Sequence, residues 1–239
     1  MNRFLKGAMI LTIAGVIVKI IGAFSKVLVA RILGGEGIGL YMMAYPIYQI
    51  IVSISAAGIP VAISIMIAEK LANRDMRGVQ QVFNVSLRVL TLVGIIFSVG
   101  LYASAEWLIK WNIITDPRAL IPIQLLSPAI IVVTILSCFR GYFQGFQYMV
   151  PTGTSQVFEQ IFRVGSMVGL AYYFIDSGLH LAAGGATFAT FPGVLAGLIV
   201  LVYFYRSQRS LRQQMLSEQN EEATIERTSA VIKRLFALA

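Results

Sequence analysis

The stretch VIVKIIGAFSKVLVAR, Val16 to Arg31, is almost continuously apolar, yet it carries Lys19, Lys26 and Arg31. Such a run suits either a buried core helix or a membrane span, and the length of the surrounding apolar segment decides between them. That segment covers residues 8–31; about 20 apolar residues are enough to cross a hydrocarbon layer roughly 30 Å thick. Lys19 lies about eleven residues into it, roughly 16 Å deep at about 1.5 Å per residue. A cation near mid-membrane costs about 2.5–3.5 kcal/mol on insertion scales, and at this depth a lysine cannot comfortably reach the surface. Lys19 must therefore face protein or water.

Five more segments of this kind follow, at roughly 41–68, 80–104, 120–143, 152–175 and 181–205. The 239-residue chain is 57% hydrophobic and 13% charged, with a mean hydropathy of +0.78. Soluble domains average about 45–50% apolar and roughly 25% charged residues. Strands that cross a membrane are short, about 10 residues, and alternate polar with apolar. These runs are too long and too continuous for that. The reading is an all-α fold, a polytopic membrane bundle of six transmembrane helices. The basic start with Arg3 and Lys6 is like a signal peptide, but the apolar run outlasts signal length without an A-x-A-like cleavage site. It is read as a retained first helix. Residues 1–205 form the membrane lobe. Residues 206–239 form a charged cytoplasmic linker helix, and its end, AVIKRLFALA, reads as the start of a truncated seventh span.

The net charge of +8 is explained by its placement. Lys70, Arg74, Arg77, Arg140, Arg206, Arg209, Arg212, Arg227, Lys233 and Arg234 fall on one side of the spans. Glu36, Glu106, Asp116 and Asp176 fall on the other, with Arg31, Lys110 and Arg118. The positive-inside rule then puts both termini in the cytoplasm, and no nucleic-acid partner is needed. Cys138 and His180 are each the single residue of their type, so there is no intrachain disulfide and no Cys/His metal cluster. Nucleotide-loop, zinc-protease and hydrolase signatures are absent from the sequence. GGEGIGLY, Gly34–Tyr41, reads as a glycine-rich turn between two spans. The chain reads as a non-enzyme without a resident cofactor.

At 3.6 residues per turn, polar and small residues form seams. Ala8, Thr12, Gly15, Lys19, Gly22 and Lys26 share a face of the first span, expected to point into the bundle. Asn84, Arg88, Thr91, Ser98 and Tyr102 do so on the third, and Thr152, Gln156, Glu159, Arg163 and Ser166 on the fifth. The second carries Tyr41, Tyr45, Tyr48 and Gln49 on its outer half. Glu159 and Arg163, four apart, can neutralise each other as interhelical glue. Lys19, Lys26, Arg88 and Arg163 then outnumber the interior acids, which points to an anionic ligand or a water-filled cavity. Arg88 lies near enough to the inner surface to snorkel instead. Gly15 and Gly22 allow close helix approach. Gly58 with Pro60, together with Pro46, Pro128 and Pro192, marks hinges or fixed kinks.

Two long stretches carry a family resemblance: VARILGGEGIGLYMMAYPIYQIIVSISAAGIPVAISIMIAEK, Val29–Lys70, and SCFRGYFQGFQYMVPTGTSQVFEQIFRV, Ser137–Val164. Both resemble the polysaccharide-transport branch of the MOP exporter superfamily, nearest the proteins similar to stage V sporulation protein B and to MurJ-like lipid II flippases. The resemblance implies one lobe, the N-terminal half, of a two-lobed MOP/MATE-like transporter working by alternating access in the bacterial cell membrane. It implies that basic residues on the first helix hold a lipid pyrophosphate. Lys19 takes one of those positions, Ser25 takes the next, and Lys26 stands beside it. Where Gram-negative members have an arginine midway along helix two, this chain has Val52 and Ser53.

The site expected from residues and resemblance together comprises Lys19, Lys26, Arg163, Glu159, Arg88 and Ser25, with Gly15, Gly22, Gly58 and Pro60 as hinge and packing positions. The partners are a lipid-linked anionic oligosaccharide, membrane lipids and a missing C-terminal lobe, with coupling to membrane potential, H+ or Na+. Three other readings stay open: a cation-coupled multidrug exporter of the MATE type, a non-transporting membrane scaffold, and a half-transporter that dimerises.

Overall fold

A computed structural model describes residues 3–56, 58–217 and 226–238 of the chain. The first helix, α1 (Arg3–Ala56), is continuous except at Gly34, whose φ of 66° and ψ of −175° are not helical. A positive φ costs glycine little and other residues more, so the chain turns a corner there. In a straight helix Lys19 and Tyr45 would lie about 39 Å apart; both line one cavity, so arm 35–56 folds back along arm 3–33. The turn expected over Gly34–Tyr41 is thus a single-residue corner, and the residues after it are helical. A second glycine corner, Gly58 at φ 75°, leads into α2 (Ile59–Ala72), with Pro60 in its first turn where a missing N–H costs nothing.

α3 (Met76–Lys110) starts on Asp75, whose carboxylate accepts from the Gly78 amide at 2.7 Å. A 3₁₀ turn, Pro117–Ala119, precedes α4 (Leu120–Gly145), and α5 (Val150–Phe174) follows it. The sixth span is built from α6 (Leu179–Phe188) and α7 (Thr190–Ser207). Its interruption at Ala189 fits Pro192, which has no N–H to offer the Phe188 carbonyl. No strand occurs among the described residues.

Among the described residues, four helical stretches are long and apolar enough to cross a membrane: Leu5–Ala72, Met76–Lys110, Pro117–Gly145 and Leu179–Ser207. The first has 68 residues, about 102 Å of helix at ~1.5 Å per residue, more than three hydrocarbon thicknesses. The corners at Gly34 and Gly58 fold it into two spans. The polar seam of α5 lowers its hydropathy, but α5 packs against α1, α6 and α7 and completes the six-helix lobe.

Two apolar clusters hold the lobe. One gathers Leu40, Tyr48, Leu126, Ile130, Ala183 and Ala186; the other gathers Ile63, Met66, Val82, Phe139, Phe143 and Leu201. Lipid tails are as apolar as leucine, so close backbone approach matters more here than burial. A Cβ on Gly141 would lie 2.8 Å from both Ile63 Cβ and the Pro60 carbonyl, and one on Gly145 would lie 2.7 Å from Ile67 Cβ. Any larger residue would push α2 off α4. The outer faces expose Ile13, Val16, Ile20, Phe24, Leu92, Ile96 and Val99, the side chains a bilayer solvates.

At one end of the bundle Arg118 Nη1 meets Glu36 Oε1 at 2.7 Å and Arg118 Nη2 meets Asp116 Oδ2 at 2.7 Å. This clips the Gly34 corner to the start of α4. At the other end lie α8 (Arg209–Ser217) and α9 (Thr228–Leu238). α9 packs against α2 and α3 and buries Val231 and Leu235. Lys70 Nζ reaches Glu226 Oε1 at 2.6 Å, and Arg234 pairs with Glu69. Residues 218–225 of the expected linker helix lie outside the described residues.

Candidate functional site

Between the two arms of α1 and the face of α5 is a cavity of about 440 Å³. Lys19, Gly22, Ser25 and Lys26 come from the first arm, Tyr41 and Tyr45 from the second, and Gln160 and Arg163 from α5. Lys19 and Lys26 are seven residues apart, two helical turns, so both ammonium groups serve one face. No carboxylate is among the described residues that line it. Ser25 is buried, and its hydroxyl donates to the Gly22 carbonyl at 2.7 Å.

The α1 seam was expected to point into the bundle, and here the structure differs. Ala8, Thr12, Lys19 and Lys26 are exposed, while Gly7, Ala14, Ser25, Val29 and Leu33 form the buried face of that arm. The lysines stand at the cavity's open side. The reason is steric: an arm packed through Gly, Ala and Ser comes close to its neighbours, and the long lysine stems fit only at the edge of that contact. Gly22 belongs to the contact, since a Cβ there would lie 3.2 Å from Gln160 Nε2, whereas one on Gly15 would meet nothing within 4 Å.

Arg163 is half-buried and donates through Nη2 to Glu159 Oε1 one helical turn earlier, while its Nε is buried without a hydrogen-bond partner. The second oxygen of Glu159 accepts from Arg140 Nη2 of α4 at 2.7 Å, and Arg140 also lies 3.4 Å from Ser155 Oγ. One carboxylate thus serves two guanidinium groups. Glu159 and Arg140 do not line the cavity; Arg163 does. Arg88 is exposed on α3 and is not among the lining residues, so the structure does not bring it to the lysines.

Two contributors escaped the sequence reading. Arg140 was assigned to the basic side of the membrane because it ends the fourth span, and its contact with Glu159 crosses a helix–helix turn that periodicity cannot see. Gln160 sits one residue off the α5 seam. The tyrosines at four- and three-residue spacing form a ladder, with ring centroids 5.3 Å apart for Tyr41 and Tyr45 and 5.8 Å for Tyr45 and Tyr48.

The six-helix fold of this lobe has known counterparts. An outward-facing multidrug resistance transporter of the MATE family, in the MOP superfamily, matches with a TM-score of 0.79 at 15% identity, over 98% of this chain and 50% of that one. The chain thus has the fold of one lobe of a two-lobed MOP/MATE-like transporter. Residues 4–229 match the polysaccharide biosynthesis protein family, and the chain belongs to that family. Stage V sporulation protein B of Bacillus subtilis (strain 168) is 34% identical over 211 residues, covering 88% of this chain and 40% of that protein. The lipid II flippase MurJ of the same strain is 27% identical over 234 residues, covering 94% of this chain and 43% of that protein. The chain spans about two-fifths of the length of these relatives. Its long apolar helices make it a multi-pass membrane protein.

Proposed function

We propose that the chain is the N-terminal lobe of a flippase that moves an undecaprenyl-pyrophosphate-linked precursor, lipid II or a polysaccharide repeat unit, across the bacterial cell membrane by alternating access. One observation carries this reading: Lys19, Lys26 and Arg163 line one cavity whose lining holds no carboxylate. Two ammonium groups at the cavity's open side and a half-buried guanidinium attract a pyrophosphate, and the lysines bind it as mobile point charges. The substrate named for the MurJ relative has this chemistry. The basic cavity also disfavours the cation-coupled drug-exporter reading, since a cationic drug would be repelled. The basic residues of the α2–α3 turn and of α8 and α9 support a cytoplasmic position for both termini. Membrane potential can supply about 2.3 kcal/mol per charge per 100 mV.

The test uses the complete transporter of which this chain is a lobe, reconstituted in liposomes. Lys19→Ala with Lys26→Ala is expected to slow flipping of a polyprenyl-pyrophosphate glycolipid by at least about tenfold, the scale of about 1.4 kcal/mol of lost attraction. The loss should shrink as salt rises. Wild-type flipping by the double variant refutes the anion cavity. Increased drug resistance in an overexpressing strain would favour the MATE reading instead.

A further inference from the structure

The cavity's cation has a rival. Glu159 holds Arg163 through one oxygen and Arg140 through the other, so an incoming anion must compete with Glu159 for Arg163. The arrangement allows that exchange. Arg163 has a buried Nε without a partner, so its guanidinium has unspent donors. If Arg163 turns to a ligand, Glu159 stays satisfied by Arg140 at 2.7 Å. Arg140 in turn keeps its Ser155 hydroxyl contact. No buried charge is orphaned by the swap, so the large penalty for stripping a partner from a buried ion is avoided.

Resting on the anion-cavity reading above, we infer that Glu159 is a resident competitor that weakens anion binding to a releasable level, and that Arg140 sets its strength. In the unloaded state Glu159 holds both Arg163 and Arg140, as the structure has it, and in the loaded state it keeps Arg140 alone. Both residues are positioning residues: neither lines the cavity. A carrier gains from such a device, because a substrate held too tightly on one side is not released on the other. The close α5–α7 contact gives the swap a reading frame. A Cβ on Gly193 would lie 2.7 Å from Arg163 Cβ, and one on Gly197 would lie 3.2 Å from Glu159 Cβ. The α7 backbone thus lies against Arg163 and Glu159 and fixes where both side chains start.

The decisive feature is that two variants move affinity in opposite directions. Inorganic pyrophosphate and a polyprenyl pyrophosphate are each titrated against the complete transporter of which this chain is a lobe, in zwitterionic nanodiscs. Glu159→Gln removes the competitor and is expected to tighten binding about tenfold or more. Arg140→Gln leaves Glu159 with Arg163 alone and is expected to weaken binding by a similar factor, although Arg140 does not reach the cavity. Equal changes for both probes indicate a site reading pyrophosphate alone, and changes confined to the polyprenyl probe indicate a lipid headgroup; both support the inference. If folded Glu159→Gln binds no tighter, or both variants weaken binding alike, the triad is a structural tie and the inference is refuted. Should Glu159→Gln fail to purify as a monodisperse protein, Arg140→Gln decides: unchanged affinity refutes it. Opposite shifts in these variants with no effect of Lys19→Ala and Lys26→Ala would sink the lysine assignment and keep the triad. A parent transporter that binds neither probe removes both readings.

Discussion

Gly193→Ala tests the packing that positions Arg163. The added methyl carbon would lie 2.7 Å from Arg163 Cβ, 3.0 Å from the Glu159 carbonyl oxygen and 3.1 Å from Arg163 Cα. Carbon atoms pack best at about 3.5–4.0 Å, so α7 must move away by most of an ångström. Two of the three obstructing atoms are α5 backbone and cannot rotate aside. Overpacking of this kind costs about 1–3 kcal/mol, partly masked by the roughly 1 kcal/mol that alanine gains over glycine inside a helix. Gly165→Ala on the exposed face of the same α5 isolates the strain, because nothing lies within 4 Å of its added Cβ. That control should gain the propensity term alone. The two variants are then expected to differ by about 1–3 kcal/mol, or roughly 2–12 °C in midpoint for a chain of this size. The assay is thermal unfolding in one detergent, with pyrophosphate affinity measured on the same samples. Gly193→Ala should melt lower than Gly165→Ala and bind more weakly. If it melts at or above the control, the α5–α7 contact is looser than described and Arg163 is not held by it.

Two further outcomes test the ends of the lobe. Leu235→Ala should undock α9 from α2 and α3 at a cost of at least about 2 kcal/mol, the low end for a buried leucine, raising amide exchange over residues 228–238 by roughly 30-fold while α3 stays protected; unchanged exchange refutes the docking. At the opposite end, the hydrogen bond from Arg118 holds the Asp116 carboxyl below its ordinary value of 3.8. The clip's stabilisation is therefore complete above that ordinary value and fades as pH falls through the depressed one. An NMR titration should show Asp116 ionising below 3.8, Asp116→Asn should abolish the acid step, and an ordinary titration would contradict the clip.

Much of the lobe was legible because each span repeats apolar residues over more than a bilayer's width. What stayed hidden depends on single backbone angles. Gly34 and its neighbour Gly35 are identical in sequence terms, yet only Gly34 takes the left-handed corner. Nothing in GGEGIGLY distinguishes a loop from a kinked continuous helix. Periodicity also gave the relative orientation of Lys19, Gly22 and Lys26 but not their neighbour. It put the three on one helix face, all three line the cavity, and it could not say whether that face met the bundle or its open side. Arg88 shows the same limit: α3 packs mainly on α4, and Arg88 is exposed and not among the residues that line the cavity.

The placement of acids and bases follows from the work proposed for the cavity. A cation that must bind an anion has to stay uncompensated at the cavity yet be affordable at membrane depth. Lys19 and Lys26 meet the second need by standing at the open edge, where both are exposed. Arg163 cannot, because it sits inside the bundle, and its carboxylate partner is set one turn behind it and outside the lining. If Glu159 lay on the cavity wall, it would screen the lysines as well and remove the site's positive character. Sharing it with Arg140 confines its field to the α4–α5 contact. The same reasoning explains why an aromatic ladder faces the lysines: Tyr41 and Tyr45 fill the opposite wall with groups that are polar at the tip and uncharged, leaving the three cations as the cavity's charged groups.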